Sequence, residues 1–243
     1  MTDIQIRDLA GMADFFQAEA LQRAVWGEDD ATDPADLMMV IQAEGGLAAG
    51  AFRGPDLLGY VFAFPTSTAG VQHSHRLAVV RAARGLGLGQ ALKWYQRDWC
   101  LARQINHVRW TFDPLRVANA ALNIHRLGGQ AQTYYPDYYG HMAGINKGTP
   151  SDRLLVDWYL DDPRVAACAL VQTSSHPDSL PDELCIQIPS DFPGMLLTDP
   201  QTAARVRLRV RALLQEAFTM RHRIIGFDIA RHSYILAKSP EEQ

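Results

Sequence analysis

Residues Leu77 to Leu92, LAVVRAARGLGLGQAL, decide how this chain is read. They run from an apolar strand through the loop Arg84-Gly85-Leu86-Gly87-Leu88-Gly89 into a helix expected to open at Gln90. Glycine at every second position lets the backbone turn tightly and brings bare amides within reach of a ligand, because no Cβ stands in front of them. A helix start aims its unpaired N–H groups and positive dipole end at the same place. The pattern predicts an anion cradle. A dinucleotide turn, G-x-G-x-x-G, needs glycine where Gln90 stands, and an N-terminal βαβ unit with an acidic residue after its second strand. A Walker loop is excluded because no Gly-Lys-Ser/Thr follows. A plain tight turn remains the alternative.

Arg84-x-x-Gly87-x-Gly89, with Leu77-Ala78-Val79 before it and an amphipathic helix after it, resembles the acyl-CoA-binding motif of the GCN5-related N-acetyltransferases (GNAT). The resemblance covers about residues 1 to 160. It implies that Arg84, Gly85, Leu86, Gly87, Leu88 and Gly89 hold the pyrophosphate of coenzyme A through backbone amides. The strand carrying Leu77 and Val79 would then lend main-chain groups to the pantetheine. Asn119 resembles the family's cofactor-contacting asparagine, although it lies two residues closer to the glycine ending its helix than the usual pattern.

The order of elements agrees. Alternation marks a strand at Asp3 to Asp8, and apolar spacing marks a helix at Met12 to Val25. A second helix, Pro34 to Gln42, is expected behind an Asp33 N-cap with proline at its first position. Gly46 to Arg53 and Leu57 to Phe64 flank Gly54-Pro55-Asp56 as a hairpin. The strand His73 to Val80, the helix Gln90 to Arg103 and the strand Val108 to Phe112 follow. A helix Ala118 to Leu127, stopped by Gly128-Gly129, and a strand Gln130 to Tyr135 complete the series. The expected architecture is α/β: the GNAT fold, a central mixed twisted sheet flanked by helices.

Residues 161 to 243 exceed the family's minimal core, and Asp161-Asp162-Pro163 punctuates the boundary. Leu184 to Ile188, Thr202 to Phe218, Ile224 to Ile229 and Ser233 to Leu236 read as a strand-helix-hairpin extension that packs on the first lobe and helps to wall its acceptor cleft. Arg205, Arg207, Arg209 and Arg211 alternate, so on a helix they spread around it, which predicts a solvated surface.

Composition fits an enzyme rather than a nucleic-acid binder. The chain has 243 residues, 47% hydrophobic, with a net charge of -4 and a pI near 6.0, which gives phosphates no basic face to bind. No apolar run approaches the roughly 18 residues that span a bilayer, and MTDIQIRDLAGM lacks the regions of a secretory signal, so a cytoplasmic protein without membrane contact is expected. Cys100, Cys168 and Cys185 are odd in number and unpaired in spacing, which predicts reduced core thiols.

His73-Ser74-His75 on a strand places both imidazoles on one face. An amine attacking a thioester must lose a proton, and histidine titrates near neutral pH. His-x-His-x-Leu-Ala-Val also resembles the corresponding segment of arylalkylamine N-acetyltransferases, which implies that His73 and His75 are catalytic. Partly buried structural histidines are the alternative; a metal pair lacks a third ligand marked by spacing, and no metal is expected.

Many family members place a tyrosine as general acid where this chain has Ile124, in Asn123-Ile124-His125-Arg126-Leu127-Gly128. His125, Tyr134, Tyr135, Tyr138 and Tyr139 lie nearby in sequence. A thiolate, whose conjugate acid has a pKa of about 8.5, leaves tolerably without one. The Asp-Pro-Leu after the fifth strand is similar to that of GNAT members with long C-terminal extensions. The expected activity is transfer of an acyl group from acetyl-CoA, or another acyl-CoA such as succinyl-CoA, to a small amine or amino acid. A binding module that holds acyl-CoA without turnover is the second reading. A small-molecule amine is the expected partner, with homodimer formation left open.

Overall fold

The computed structural model describes residues 4–28, 31–140, 150–171 and 183–239. The chain forms two compact units, the first running to Arg109 and the second beginning at Trp110. Their boundary falls inside one strand and does not coincide with the division at 160/161 drawn from punctuation.

In the first unit, β1 (Ile4–Asp8), β2 (Leu47–Arg53), β3 (Asp56–Pro65) and β4 (Val71–Val79) form an antiparallel sheet in that order. The start of β5 (His107–Phe112) adds to β4 in parallel, Val71–His73 against His107–Arg109. Helices α1 (Gly11–Trp26) and α2 (Ala35–Ala43) cover one face with Phe15, Leu21 and Met38 on Tyr60 and Phe62. Helix α3 (Leu88–Leu101) covers the other, with Leu88 and Leu92 on Leu47, Val61 and Ala63. Because both faces are covered, β2 reads as an apolar run, LAAGAF, rather than an alternation. Fully buried Phe15, Met38 and Leu92 each contribute about 2 kcal/mol.

The start of α2 departs from expectation. Pro34, not Asp33, is the N-cap, and the Ala35 N–H is satisfied by the Glu19 carboxylate of α1 at 2.9 Å. Asp33 is held elsewhere by its own backbone: its N–H donates to Gln22 Oε1 at 2.7 Å, and Gln22 Nε2 donates to its carbonyl at 3.2 Å.

The second unit contains α4 (Val117–Ala120), continued by a wider π-helical stretch over Ala121–Arg126, then β6 (Gln130–Tyr135) and β7 (Arg153–Tyr159). Next come α5 (Pro163–Val171), β8 (Leu184–Gln187), α6 (Phe192–Thr198), α7 (Pro200–Thr219), β9 (His222–Asp228) and β10 (Ser233–Lys238). Strand order is β7-β6-β9-β10-β8, antiparallel where β6 meets β7 and β9 and where β10 meets β9 and β8. Trp158, fully buried, donates to Leu127 O at 2.7 Å and meets the Trp110 ring edge-on. The segment after residue 160 is built into this unit. Ile224 pairs with Ala131, Arg164 donates to Gly128 O at 2.8 Å, and the buried Tyr234 hydroxyl donates to Pro114 O at 2.7 Å.

Three elements go beyond the order expected from sequence: β7, α5 and α6. The lead into β7, Ser151-Asp152-Arg153, looks like a loop yet is buried. Asp152 accepts from Tyr134 Oη at 2.6 Å, from the Asp137 N–H at 3.0 Å and from Arg211 Nη2 at 2.6 Å. Arg207 is also buried and grips Asp113 with two bonds of 2.9 and 2.8 Å. The solvated reading of the α7 arginines therefore fails at Arg207 and Arg211, four residues apart on one helical face. Cys100 and Cys168 are buried free thiols as expected, but Cys185 is exposed. Among the described residues no helix is long and apolar enough to cross a membrane.

Candidate functional site

After β4 the chain makes a single 3₁₀ turn at Arg81–Ala83, tied by the Ala83 N–H to Val80 O at 3.0 Å and the Arg84 N–H to Arg81 O at 3.2 Å. Gly85 and Gly87 then take φ of 86° and 74°, the left-handed region where side chains are strained. Helix α3 opens at Leu88, two residues earlier than expected, with Gly87 as its N-cap. Its first intrahelical bond is the Ala91 N–H to Gly87 O at 3.0 Å, so the amides of Leu88, Gly89 and Gln90 have no intrahelical acceptor. Gly89 lies within the first turn. Residues Arg84 to Gly87 are exposed, whereas Leu88 and Leu92 anchor the helix in the core. A Cβ at Gly85 or Gly87 would meet nothing within 4 Å, so glycine is required there for conformation rather than room. An exposed turn, three outward amides and a helix dipole suit a diphosphate.

Strand β4 leads into this loop and changes face on the way. Ala63 pairs with Ser74 but Phe62 with Arg76, so His75 is the extra residue of a β-bulge. Before the bulge, buried Gln72 and Ser74 face α3, while His73 and His75 face the opposite side. After it, Leu77 and Val79 pack toward α3 and Ala78 joins the cluster under α1 and α2. Simple alternation from the histidines would have put Leu77 and Val79 on the wrong face. The registered pairing with β5 ends at His73, and β4 continues six residues past it.

The histidines do come together. Their ring centroids are 6.2 Å apart; His73 stacks on Phe64 at 5.0 Å, and His75 contacts both Phe64 and Phe62. Burial, reinforced by the charges of His75, Arg109 and Lys93, lowers the His73 pKa to about 4. His73 is therefore neutral at pH 7 and a weak base, contrary to the near-neutral titration expected of it. His75 is exposed, and its Nε2 lies 3.3 Å from Asp33 Oδ1. Arg76 Nε lies 2.9 Å from Asp33 Oδ2, and its guanidinium sits over the Trp26 ring at 4.7 Å. Burial alone would raise the Asp33 carboxyl pKa, but the His75 hydrogen bond and the His75 and Arg76 charges outweigh it and hold the group low.

On the opposite face of β4, a buried polar chain joins strand and helix. Lys93 Nζ donates to Gln96 Oε1 at 2.7 Å and Ser74 Oγ at 3.1 Å, and Gln96 Nε2 donates to Gln72 Oε1 at 2.7 Å. Cys100 Sγ reaches the same Gln72 oxygen at 3.2 Å. Burial pulls the Lys93 pKa down to about 7 and pushes the Cys100 thiol up to about 12. None of these residues was singled out from sequence, yet Lys93, Gln96 and Cys100 at i, i+3 and i+7 make one helical stripe.

Asn119 lies in the second unit, exposed on α4. There Ile124 is buried, so the position where many relatives carry an acid belongs to the core. His125 Nδ1 bonds Phe227 O at 2.9 Å, and Tyr134 donates to Asp152, with burial pushing its hydroxyl pKa far up. Both are structural. Asp113, just after β5, has both oxygens taken by Arg207. Among the described residues no cluster of three or more His, Cys, Asp or Glu is placed to hold a metal ion.

Comparison with known proteins bears on the family and the fold. Residues 12–128 match the Acetyltransferase (GNAT) family. No curated protein matches the chain in sequence. Among solved structures, the ribosomal-protein-S18-alanine N-acetyltransferase of Escherichia coli is 16% identical with a TM-score of 0.54, over 74% of this chain and 99% of that one. An N-acetyltransferase of Staphylococcus aureus Mu50 is 13% identical with a TM-score of 0.55, over 65% and 99%. An aminoglycoside 6'-N-acetyltransferase complexed with coenzyme A is 16% identical with a TM-score of 0.52, over 64% and 97%. At these identities the likeness is one of fold, and the family match supplies the activity. Residues 12–128 are thereby identified as an acetyltransferase (GNAT) domain.

Proposed function

We propose that this protein is an N-acetyltransferase that moves the acetyl group of acetyl-CoA to a small amine or amino acid by direct attack. The observation that carries the reading is the Arg84–Gly89 turn, whose two left-handed glycines and three free helix-start amides lie directly after β4. The turn binds the diphosphate of the donor, and Leu77 and Val79 offer main-chain groups to the pantetheine. One solved acetyltransferase of similar fold holds coenzyme A.

The amine nitrogen bonds to the thioester carbonyl, the C–S bond breaks, and coenzyme A leaves as a thiolate. The proton shed by nitrogen passes to His75 and from there to solvent. His73, neutral at pH 7, stands beside it as an acceptor. With Ile124 in the core, the thiolate departs without a dedicated acid.

The test is release of free coenzyme A thiol from acetyl-CoA across a panel of small amines and amino acids. Acceptor-dependent release is expected. His75→Gln should lower turnover roughly 10²- to 10⁴-fold while leaving acetyl-CoA affinity intact, and His73→Gln should cost less. Donor binding without thiol release on any acceptor would instead favour a binding module, and release only from succinyl-CoA would change the donor.

A further inference from the structure

We infer that Asp33 is a positioning residue for the reaction, fixing His75 in the tautomer that leaves its Nδ1 lone pair free to take the amine's proton. The inference rests on the reading of His75 as base and names the group that prepares it. A carboxylate can only accept hydrogen bonds, so the contact of Asp33 Oδ1 with His75 Nε2 at 3.3 Å requires the hydrogen of a neutral ring to sit on Nε2. The lone pair is then on Nδ1.

Asp33 is itself held firmly. Gln22, fully buried in α1, takes both its backbone N–H and its carbonyl. Its second oxygen faces Arg76 Nε at 2.9 Å, and Arg76 lies over Trp26 at the end of α1. The bulge in β4 turns His75 and Arg76 toward the same side, so one carboxylate spans both. Without the bulge they would point to opposite faces. The Asp33-Pro34 pair that looks like a helix cap thus becomes a clamp on the strand carrying the base, while Glu19 caps α2 in its place.

The test uses the full chain, nitrogen-15 labelled at histidine, and the identified acceptor. Imidazole nitrogen shifts of neutral His75 should show Nε2–H in the wild type and a mixture of tautomers in Asp33→Ala. Asp33→Ala should lower turnover roughly 10- to 10²-fold, a part of the 10²- to 10⁴-fold worth of the base, with an unchanged KM for acetyl-CoA. Because Asp33 acts through His75, Asp33→Ala/His75→Gln should be no slower than His75→Gln alone. A wild-type ring that is Nδ1–H or evenly mixed overturns the inference, and this measurement needs no variant to fold. Losses that multiply in the double variant also overturn it. If His75→Gln turns over at the wild-type rate, the base reading falls, and the wild-type tautomer alone decides whether Asp33 orients the ring.

Discussion

Gly87 caps α3 at φ 74° with open space where a Cβ would stand, so its substitution acts through the backbone alone. Gly87→Val should abolish acetyl-CoA binding by calorimetry, because a β-branched residue avoids the left-handed region and would re-aim the amides that follow. Gly87→Asn, which tolerates that region, should bind closer to wild type. Equal affinity in folded Gly87→Val would remove the loop from the donor site. At the histidines, the defect of His75→Gln should shrink as pH rises, because more of the acceptor amine arrives already deprotonated. His73, with its pKa near 4, should set no inflection in the neutral range of a pH–rate profile. The same residue pair can serve two ends: Asp199-Pro200 caps α7, with the Thr202 N–H on Asp199 at 3.0 Å, whereas Asp33-Pro34 caps nothing because His75 and Arg76 claim the carboxylate. Sequence alone offers the same reading at both places.

Helix α3 and strand β4 are joined by Lys93, whose folded pKa near 7 lies well below the 10.4 of an exposed lysine. Below pH 7 the buried charge destabilises the fold in full; between about 7 and 10.4 the folded state holds fewer protons than the unfolded one, so this penalty fades as pH rises. Its size is on the order of 5 kcal/mol. Cys100 acts oppositely above about pH 8.5, since its thiol stays protonated in the fold while it ionises on unfolding. Urea denaturation of wild type against Lys93→Met isolates the lysine. The variant should be as stable or more stable at pH 7, because Ser74 still donates to Gln96 Oε1 at 3.1 Å. Its advantage should dwindle by pH 9.5, and an advantage independent of pH would show that Lys93 does not titrate there. In the second unit, Arg207→Met should destabilise by about 3 kcal/mol, because Asp113 loses its paired guanidinium. Adding Asp113→Asn should restore part of that loss in the same denaturation assay.

For the whole molecule, titration should give one coenzyme A per chain. Helix α7 opens on Asp199, an acidic cap that already occupies an amide and repels phosphate, so it repeats nothing of the Arg84–Gly89 turn. Two equivalent sites by calorimetry would overturn this. The segment after residue 160, read as a strand, helix and hairpin, also carries α5 and α6 and supplies the β9 partner of β6. The sequence by itself determined the glycine turn between β4 and α3, the element order through β6 and the closeness of His73 and His75. Each of these depends on short-range spacing: glycines two apart, apolar periods and neighbours on one strand. It left undetermined the bulge that moves Leu77 and Val79 to the α3 face, the pairing of Asp33 with His75 and the buried Lys93 chain. It also left undetermined the burial of Arg207 and the insertion of β7 beside β6. Most of these join residues far apart in the chain, up to the 94 positions between Asp113 and Arg207, or depend on desolvation. A local pattern cannot say which polar side chain will be taken out of water or which distant partner will meet it there.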